Sequence, residues 1–295
     1  MDLDVIPEPA DALAPFPLRF VKGHGTQNDF VLVDDHDGQL DIRPERIRAI
    51  CDRRAGIGAD GLIRVVRTAA AGIDAPADAP EWFMDYRNAD GSTAEMCGNG
   101  VRVFAAHLQR SGLITEVAFD IWTRAGARTV EIIASPEQLE GTWSVRVGMG
   151  RARVGEQGRT VRIGDLALEA TDVDMGNPHA VAFLPERVRL DDLDLTRRPG
   201  LDPEPSDGSN IELVSPRGRR HVAMRVHERG VGETSSCGTG VAAVAVAAAR
   251  RAGDTSEEPW IVDVPGGRLD VVLLADGQVI LTGPAAIVAE GTALI

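Results

Sequence analysis

The chain has 295 residues, 43% of them hydrophobic, and a formal net charge of −14. That length suffices for one large core or two ordinary ones, and two domains are expected. The acidic balance argues against nucleic acid as a partner, because phosphate binding needs a basic surface, and no stretch approaches the roughly 18 uninterrupted apolar residues of a membrane span, so a soluble chain with no membrane partner is expected. Residues 1–17, acidic and rich in Pro and Ala, fit no signal peptide and read as a frayed tail. Short apolar runs follow: LRFV from Leu18, FVLVD from Phe30, VEII from Val130, WSVRV from Trp143 and DVVLL from Asp270. They alternate or are β-branched, and Gly, Asp or Pro bounds them, which predicts a strand-rich chain. Two helical patterns interrupt it. The first runs from Gly98 to about Arg110, with Val101, Phe104, Ala105 and Leu108 on one face and Ser111-Gly112 as its stop. The second, from Gly238 to about Ala252, is almost wholly Ala and Val until Arg250, which predicts a buried central helix. The segments from Thr68 to Glu81 and from Arg197 to Asn210 are loops by composition.

Both helices open on the same phrase, MCGNGV at Met96 and SCGTGV at Ser236, about half the chain apart. Upstream, GTQNDFVLVD from Gly25 and MGNPHAVAF from Met175 echo one another, so an internal duplication is the economical reading. Each cysteine then sits at a helix first turn, where amides without intrahelical partners and the helix dipole attract anions. The expectation is that Cys97 and Cys237 are lowered towards neutrality, and that the amides of Gly98, Asn99, Gly238 and Thr239 receive a carboxylate. If the halves face each other across a pseudo-twofold axis, the two thiols reach opposite sides of one carbon. One removes a proton and the other returns one, with the carbanion held by preorganised amides. Such opposition also gives the expectation that oxidation of an empty site joins the two thiols.

Three cysteines, an odd number without CxxC spacing, suit a reducing cytoplasm rather than a disulfide framework. Cys51 lacks the helix-start context and reads as structural. Lys22 is the only lysine, so a pyridoxal enzyme is disfavoured, and too few Cys and His cluster to suggest a metal site. Neither cofactor nor metal is expected. Rival readings of the cysteines are a redox or metal-binding protein and a non-enzymatic amino-acid binder, which would not require two thiols.

In order and spacing, HGTQNDF from His24, GIGADG from Gly56, NADGSTAEMCGNG from Asn88, GNPHAV from Gly176, SNIELV from Ser209 and HERGVGETSSCGTG from His227 resemble the diaminopimelate epimerases. The resemblance implies a two-cysteine, cofactor-free interconversion of LL- and meso-2,6-diaminopimelate, on the way to lysine and peptidoglycan cross-links. It implies an α/β (α+β) fold of two pseudo-symmetric domains, each a curved mixed sheet wrapped around a central helix, with the active site in the cleft between them. The domains would be 1–141 plus 283–295, and 142–282. Carried over to matching positions, Cys97 and Cys237 are the acid/base pair. Asn28, Asn88, Asn177, Asn210, Glu228 and Arg229 bind the small-molecule substrate. His179 tunes a thiol, orients a neighbour or stabilises a turn. A homodimer is also implied. The position of Gly61 carries a polar, substrate-contacting side chain in some members, so one contact is missing or replaced here. Proline racemases and hydroxyproline epimerases are sibling alternatives that lack the HERGVGET phrase. Phenazine-type isomerases share the fold but replace the cysteine pair.

Overall fold

The computed structural model describes residues 16–137, 141–155 and 158–295. Most of the tail expected over 1–17 lies outside the described residues, but its last two positions are anchored rather than frayed. Pro17 opens the first strand opposite Leu294. Phe16 exchanges backbone hydrogen bonds of 3.2 and 3.3 Å with Ile295, and the Arg46 guanidinium lies 4.3 Å from its ring centre.

The fold is mixed α+β, and strand pairing closes it into two barrels. The first runs through β1 (Pro17–Gly25), β2 (Asn28–Asp34), β3 (Gly61–Arg67), β4 (Trp82–Asn88), β5 (Ala118–Thr123), β6 (Gly126–Ala134) and β7 (Thr142–Arg151). The second adds β8 (Arg153–Val154), β9 (Arg159–Ile163), β10 (Leu166–Asp174), β11 (Pro178–Phe183), β12 (Gly200–Asp202), β13 (Asn210–Gly218), β14 (His221–Glu228), β15 (Gly232–Thr234), β16 (Trp260–Val264) and β17 (Gly267–Leu273). The 17-residue β18 (Gln278–Leu294) serves both. It pairs with β17 and β7 near its start and with β1 near its end, which closes each barrel in turn. The five expected apolar runs fall in strands, except for Leu274 at the end of the last. The loop from Arg197 nevertheless contains the three-residue β12.

Inside the barrels lie α2 (Gly98–Arg110) and α3 (Gly238–Ala252), with the bounds that their periodicity predicts. Val101, Phe104, Ala105 and Leu108 are fully buried along α2, as are Val241 and Val244 on α3. At about 1.5–3 kcal/mol per large apolar side chain, such burial anchors helices whose propensity alone is modest. α3 is exposed only over its last three residues, Arg250 to Ala252, as its lack of a polar face requires. A third helix, α1 (Pro44–Cys51), was not evident in the sequence. It buries Ile47, Ile50 and Cys51 against the outside of β2 and β3, in a second apolar cluster.

The duplication extends to register. Strand β2 runs parallel to β3 with Phe30 opposite Gly61, and β11 runs parallel to β13 with His179 opposite Asn210. The next strand is antiparallel in both halves, with Gly61 opposite Asn88 in one and Ile211 opposite His227 in the other. The repeat therefore matches Asn28 with Asn177, Gly61 with Asn210, and Asn88 with Glu228.

Candidate active site

The first turns of α2 and α3 meet head to head. A Cβ built on Gly238 would lie 3.2 Å from Gly98 Cα and 3.4 Å from the Asn99 amide nitrogen, so any side chain here would crowd the opposing helix start. Around the junction is a cavity of about 760 Å³. Its walls include Asn28, Asn88, Cys97, Gly98, Asn99, Asn177, Asn210, Glu228, Arg229, Cys237, Gly238 and Thr239, which brings together every expected acid/base and substrate-contacting position. His179 is not on the wall but behind it.

Cys97 caps α2, its sulfur accepting the Gly100 N–H at 3.4 Å and its thiol facing Asn28 Oδ1 at 3.6 Å. Cys237 lies 3.5 Å from Thr239 Oγ1. The expectation of lowered thiols is not met. Burial pushes Cys97 up to about 11, against the pull of the Gly100 and Asn99 amides. Cys237 is raised well above 9.0, by burial first and then by the carboxylates of Glu228 and Glu212. Two amides and a dipole do not outweigh complete desolvation of a thiolate. The third thiol, Cys51, is also buried and is raised to about 12 chiefly by burial. All three cysteines are free.

The amides around the cavity are held in place. Asn28 donates to Asp60 at 2.7 Å and accepts from Asn99 Nδ2 at 3.1 Å. Asn88 donates to Ser92 Oγ at 3.0 Å. Asn210 donates to the Pro178 carbonyl at 3.0 Å and accepts the Arg229 N–H at 2.9 Å. The exposed guanidinium of Arg229 reaches back to the Asp207 carbonyl at 2.8 Å. Glu228 accepts from Thr234 Oγ1, and burial raises its carboxyl. His179 uses both ring nitrogens, Nδ1 with Glu212 Oε1 at 2.6 Å and Nε2 with Asn177 Oδ1 at 3.0 Å. Of the roles open to it, orienting a neighbour is what the geometry supports. Lys22 lies on Asp29 at 2.6 Å and is not on the cavity wall.

The sequence profile of the diaminopimelate epimerases matches residues 20–155 and 171–288. The chain belongs to the diaminopimelate epimerase family. It is 51% identical over 283 residues to the diaminopimelate epimerase of Streptomyces coelicolor, covering 93% of this chain and 94% of that one. The Thermobifida fusca enzyme of the same name is 48% identical over 280 residues, covering 93% and 97%. Among solved structures, a probable proline racemase from Agrobacterium radiobacter K84 aligns with a TM-score of 0.68 at 12% identity, covering 94% of this chain and 92% of that one. A phenazine biosynthesis protein of the PhzF family from Bacillus anthracis aligns at 0.67 and 16% identity, covering 95% and 100%. At such identities these two share the fold alone.

Beside the family's expected set, the structure adds groups that sequence reasoning did not single out. Arg102, fully buried one turn into α2, has no carboxylate partner among the described residues. It donates to Asn99 Oδ1 at 2.9 Å, Thr26 Oγ1 at 3.1 Å, the Pro284 carbonyl at 3.1 Å and the Gly98 carbonyl at 3.3 Å. Thr26, in the left-handed region at φ 50°, donates in turn to Ser236 Oγ at 2.8 Å. Gly266 lets it pack there, since a Cβ on that glycine would come within 1.8 Å of the Thr26 carbonyl oxygen. This chain of contacts straps the start of α2 to the start of α3. Glu212, fully buried, lies behind Cys237 at the register position held by Ile63 behind Cys97. The repeat is thus symmetric in backbone and asymmetric in charge, with a cation beneath α2 and a carboxylate beneath α3. A charged residue inside each apolar run, Arg102 between Val101 and Val103 and Glu212 between Ile211 and Leu213, was the available signal.

Proposed function

We propose that this chain interconverts LL- and meso-2,6-diaminopimelate by a two-base route between Cys97 and Cys237, with no cofactor or metal, in lysine and peptidoglycan precursor biosynthesis in the cytoplasm. The observation that carries the reading is the pair of thiols at two abutting helix N-termini on one cavity. The names of the relatives, and a cavity wall rich in Asn, Glu and Arg, supply the substrate.

The amides of Gly98, Asn99, Gly238 and Thr239 receive the α-carboxylate of the reacting centre. A thiolate on one side takes the α-proton while the thiol on the other delivers its own, so each turnover exchanges their protonation states. The negative charge of the carbanion spreads onto the carboxylate, where fixed amides stabilise it without reorganising. Burial and Glu228 oppose a charge on either thiol, but Arg102 favours that of Cys97 while Glu212 further opposes that of Cys237, so Cys97 serves as the resting thiolate. The substrate's ammonium groups, arriving beside Glu228, bring both raised thiols down. At the distal end, Asn88, Asn177, Asn210, Glu228 and Arg229 match an amino-acid head that carries both charges.

The cleft lies between units of residues 1–141 plus 283–295 and of 142–282. The homodimer carried by the resemblance has a surface available in β18, which past Ala286 pairs only with β1 among the described residues and exposes Val288 and Leu294. In deuterated water the enzyme should load deuterium at the α-carbon of both diaminopimelate isomers and leave proline unlabelled. Labelling of proline alone would overturn the assignment, and full activity in either Cys97→Ala or Cys237→Ala would overturn the two-base route.

A further inference from the structure

We infer that Tyr86, the chain's only tyrosine, is a further substrate-binding residue whose hydroxyl accepts a hydrogen bond from a substrate ammonium group, in the space that Gly61 leaves open. The inference rests on the diaminopimelate reading. Met84, Tyr86 and Asn88 share one face of β4, and both Tyr86 and Asn88 line the cavity.

Gly61 lies opposite Asn88 in the register of β3 and β4. A Cβ at this position would meet Tyr86 Cε2 at 2.6 Å and its hydroxyl at 3.2 Å. The ring therefore fills the volume that a side chain at 61 would claim. In the second half the matching position is Asn210, whose side chain reaches the cavity, so the first half delivers its polar group from β4 instead.

The ring is fixed. It packs edge-on against Phe30 with centroids 5.7 Å apart and an interplanar angle of 82°, and the residue is 7% exposed. A buried tyrosine hydroxyl normally finds a partner. Tyr86 Oη makes no hydrogen bond among the described residues. Burial, followed by the negative charge that Cys97, Glu228, Asp60 and Cys51 carry when ionised, keeps it protonated. Asp60 is already paired with Arg53 at 2.7 Å, whereas Glu228 has no cationic partner among the described residues, so the surroundings favour a cationic donor between Glu228 and the ring. An ammonium donating to Oη, with the phenolic proton turned to a carboxylate, satisfies the group completely.

Tyr86→Phe retains the ring and removes only the hydroxyl. With purified full-length enzyme we expect KM for meso-diaminopimelate to rise about tenfold, as for loss of one hydrogen bond to a charged group, with kcat changed less than about twofold. Because the chain has one tyrosine, wild-type enzyme labelled with [13Cζ]tyrosine gives a single ring resonance, which should shift on saturation with meso-diaminopimelate and not with proline. An unchanged KM, or a resonance unmoved at saturation, would overturn the inference while deuterium loading by the wild type still upheld the reaction. Failure of the wild type to load deuterium would instead overturn the reaction itself.

Discussion

Glu212→Gln tests the charge asymmetry of the site most directly. A Cβ built on Gly240 would lie 2.8 Å from Glu212 Oε1 and 3.4 Å from Cys237 Sγ, which places the carboxylate within about 6 Å of the sulfur. At that distance and an effective dielectric of about 20, two unit charges repel by about 3 kcal/mol, or roughly two pKa units. The amide keeps the volume and an oxygen for His179 Nδ1, so the substitution removes charge with little change of shape. The Cys237 thiol should fall by up to about two units. Its thiolate population then rises up to about a hundredfold at a fixed pH below its pKa, and the lower intrinsic nucleophilicity of the more acidic thiolate cuts the gain in alkylation rate to roughly tenfold. The assay is iodoacetamide labelling of substrate-free enzyme at pH 8, with peptide mass spectrometry resolving each cysteine. Cys97 serves as the internal reference, since Glu228 rather than Glu212 is the carboxylate that raises it. Unchanged labelling of Cys237 would mean that Glu212 presents no charge to the sulfur. An equal rise at Cys97 would mean that the substitution had merely loosened the site. Either result refutes the electrostatic account.

Arg102→Met strands four acceptors at about 1–3 kcal/mol each but also removes a buried, unpaired cation, so we expect a net destabilisation of about 2 kcal/mol by urea unfolding. The same variant should label more slowly at Cys97. Unaltered Cys97 reactivity would remove Arg102 from the electrostatics of that thiol. Burial raises the thiols of Cys51 and Cys97 to about 12 and about 11. The fold therefore favours their protonated forms, and this stability is complete below about pH 9 and lost as pH climbs through the folded values. Urea midpoints should fall between pH 9 and 11, more gently in Cys51→Ala, and a flat wild-type profile would contradict the assignment. On the acid side burial works against Asp29 and Asp85. Arg53 and Lys22 nevertheless hold Asp29 below the usual carboxylate range, as Arg87 and Arg124 hold Asp85. Their contribution is present above about pH 4 and lost as pH falls further, so Arg53→Ala should flatten the acid limb of the same measurement.

The legible part of this protein was local. The spacing of Val101, Phe104 and Leu108 defines α2, and a run of Ala and Val with no polar face defines a helix that can exist only inside a barrel. The repeated Cys-Gly-x-Gly phrase marks both helix starts and the two thiols. Helix α1 is not legible because its inward residues, Ile47, Ile50 and Cys51, cover little more than one turn, too short a span for periodicity to stand out. The direction of the thiol shifts is not legible in the sequence for a different reason. A helix N-terminus can be read from sequence, but the depth of burial that opposes it is set by which strands close over it. Tyr86 over Gly61 is a contact between neighbouring strands, so neither residue discloses it alone. Glu212, His179 and Asn177 are likewise joined by the parallel pairing of β11 and β13. The sequence by itself determined the chemistry available, two thiols, free amides and a set of polar side chains, because these depend on residue type and short-range spacing. Only the tertiary structure decided that Arg102 lies beneath one thiol and Glu212 behind the other, because desolvation and charge proximity belong to the packed whole.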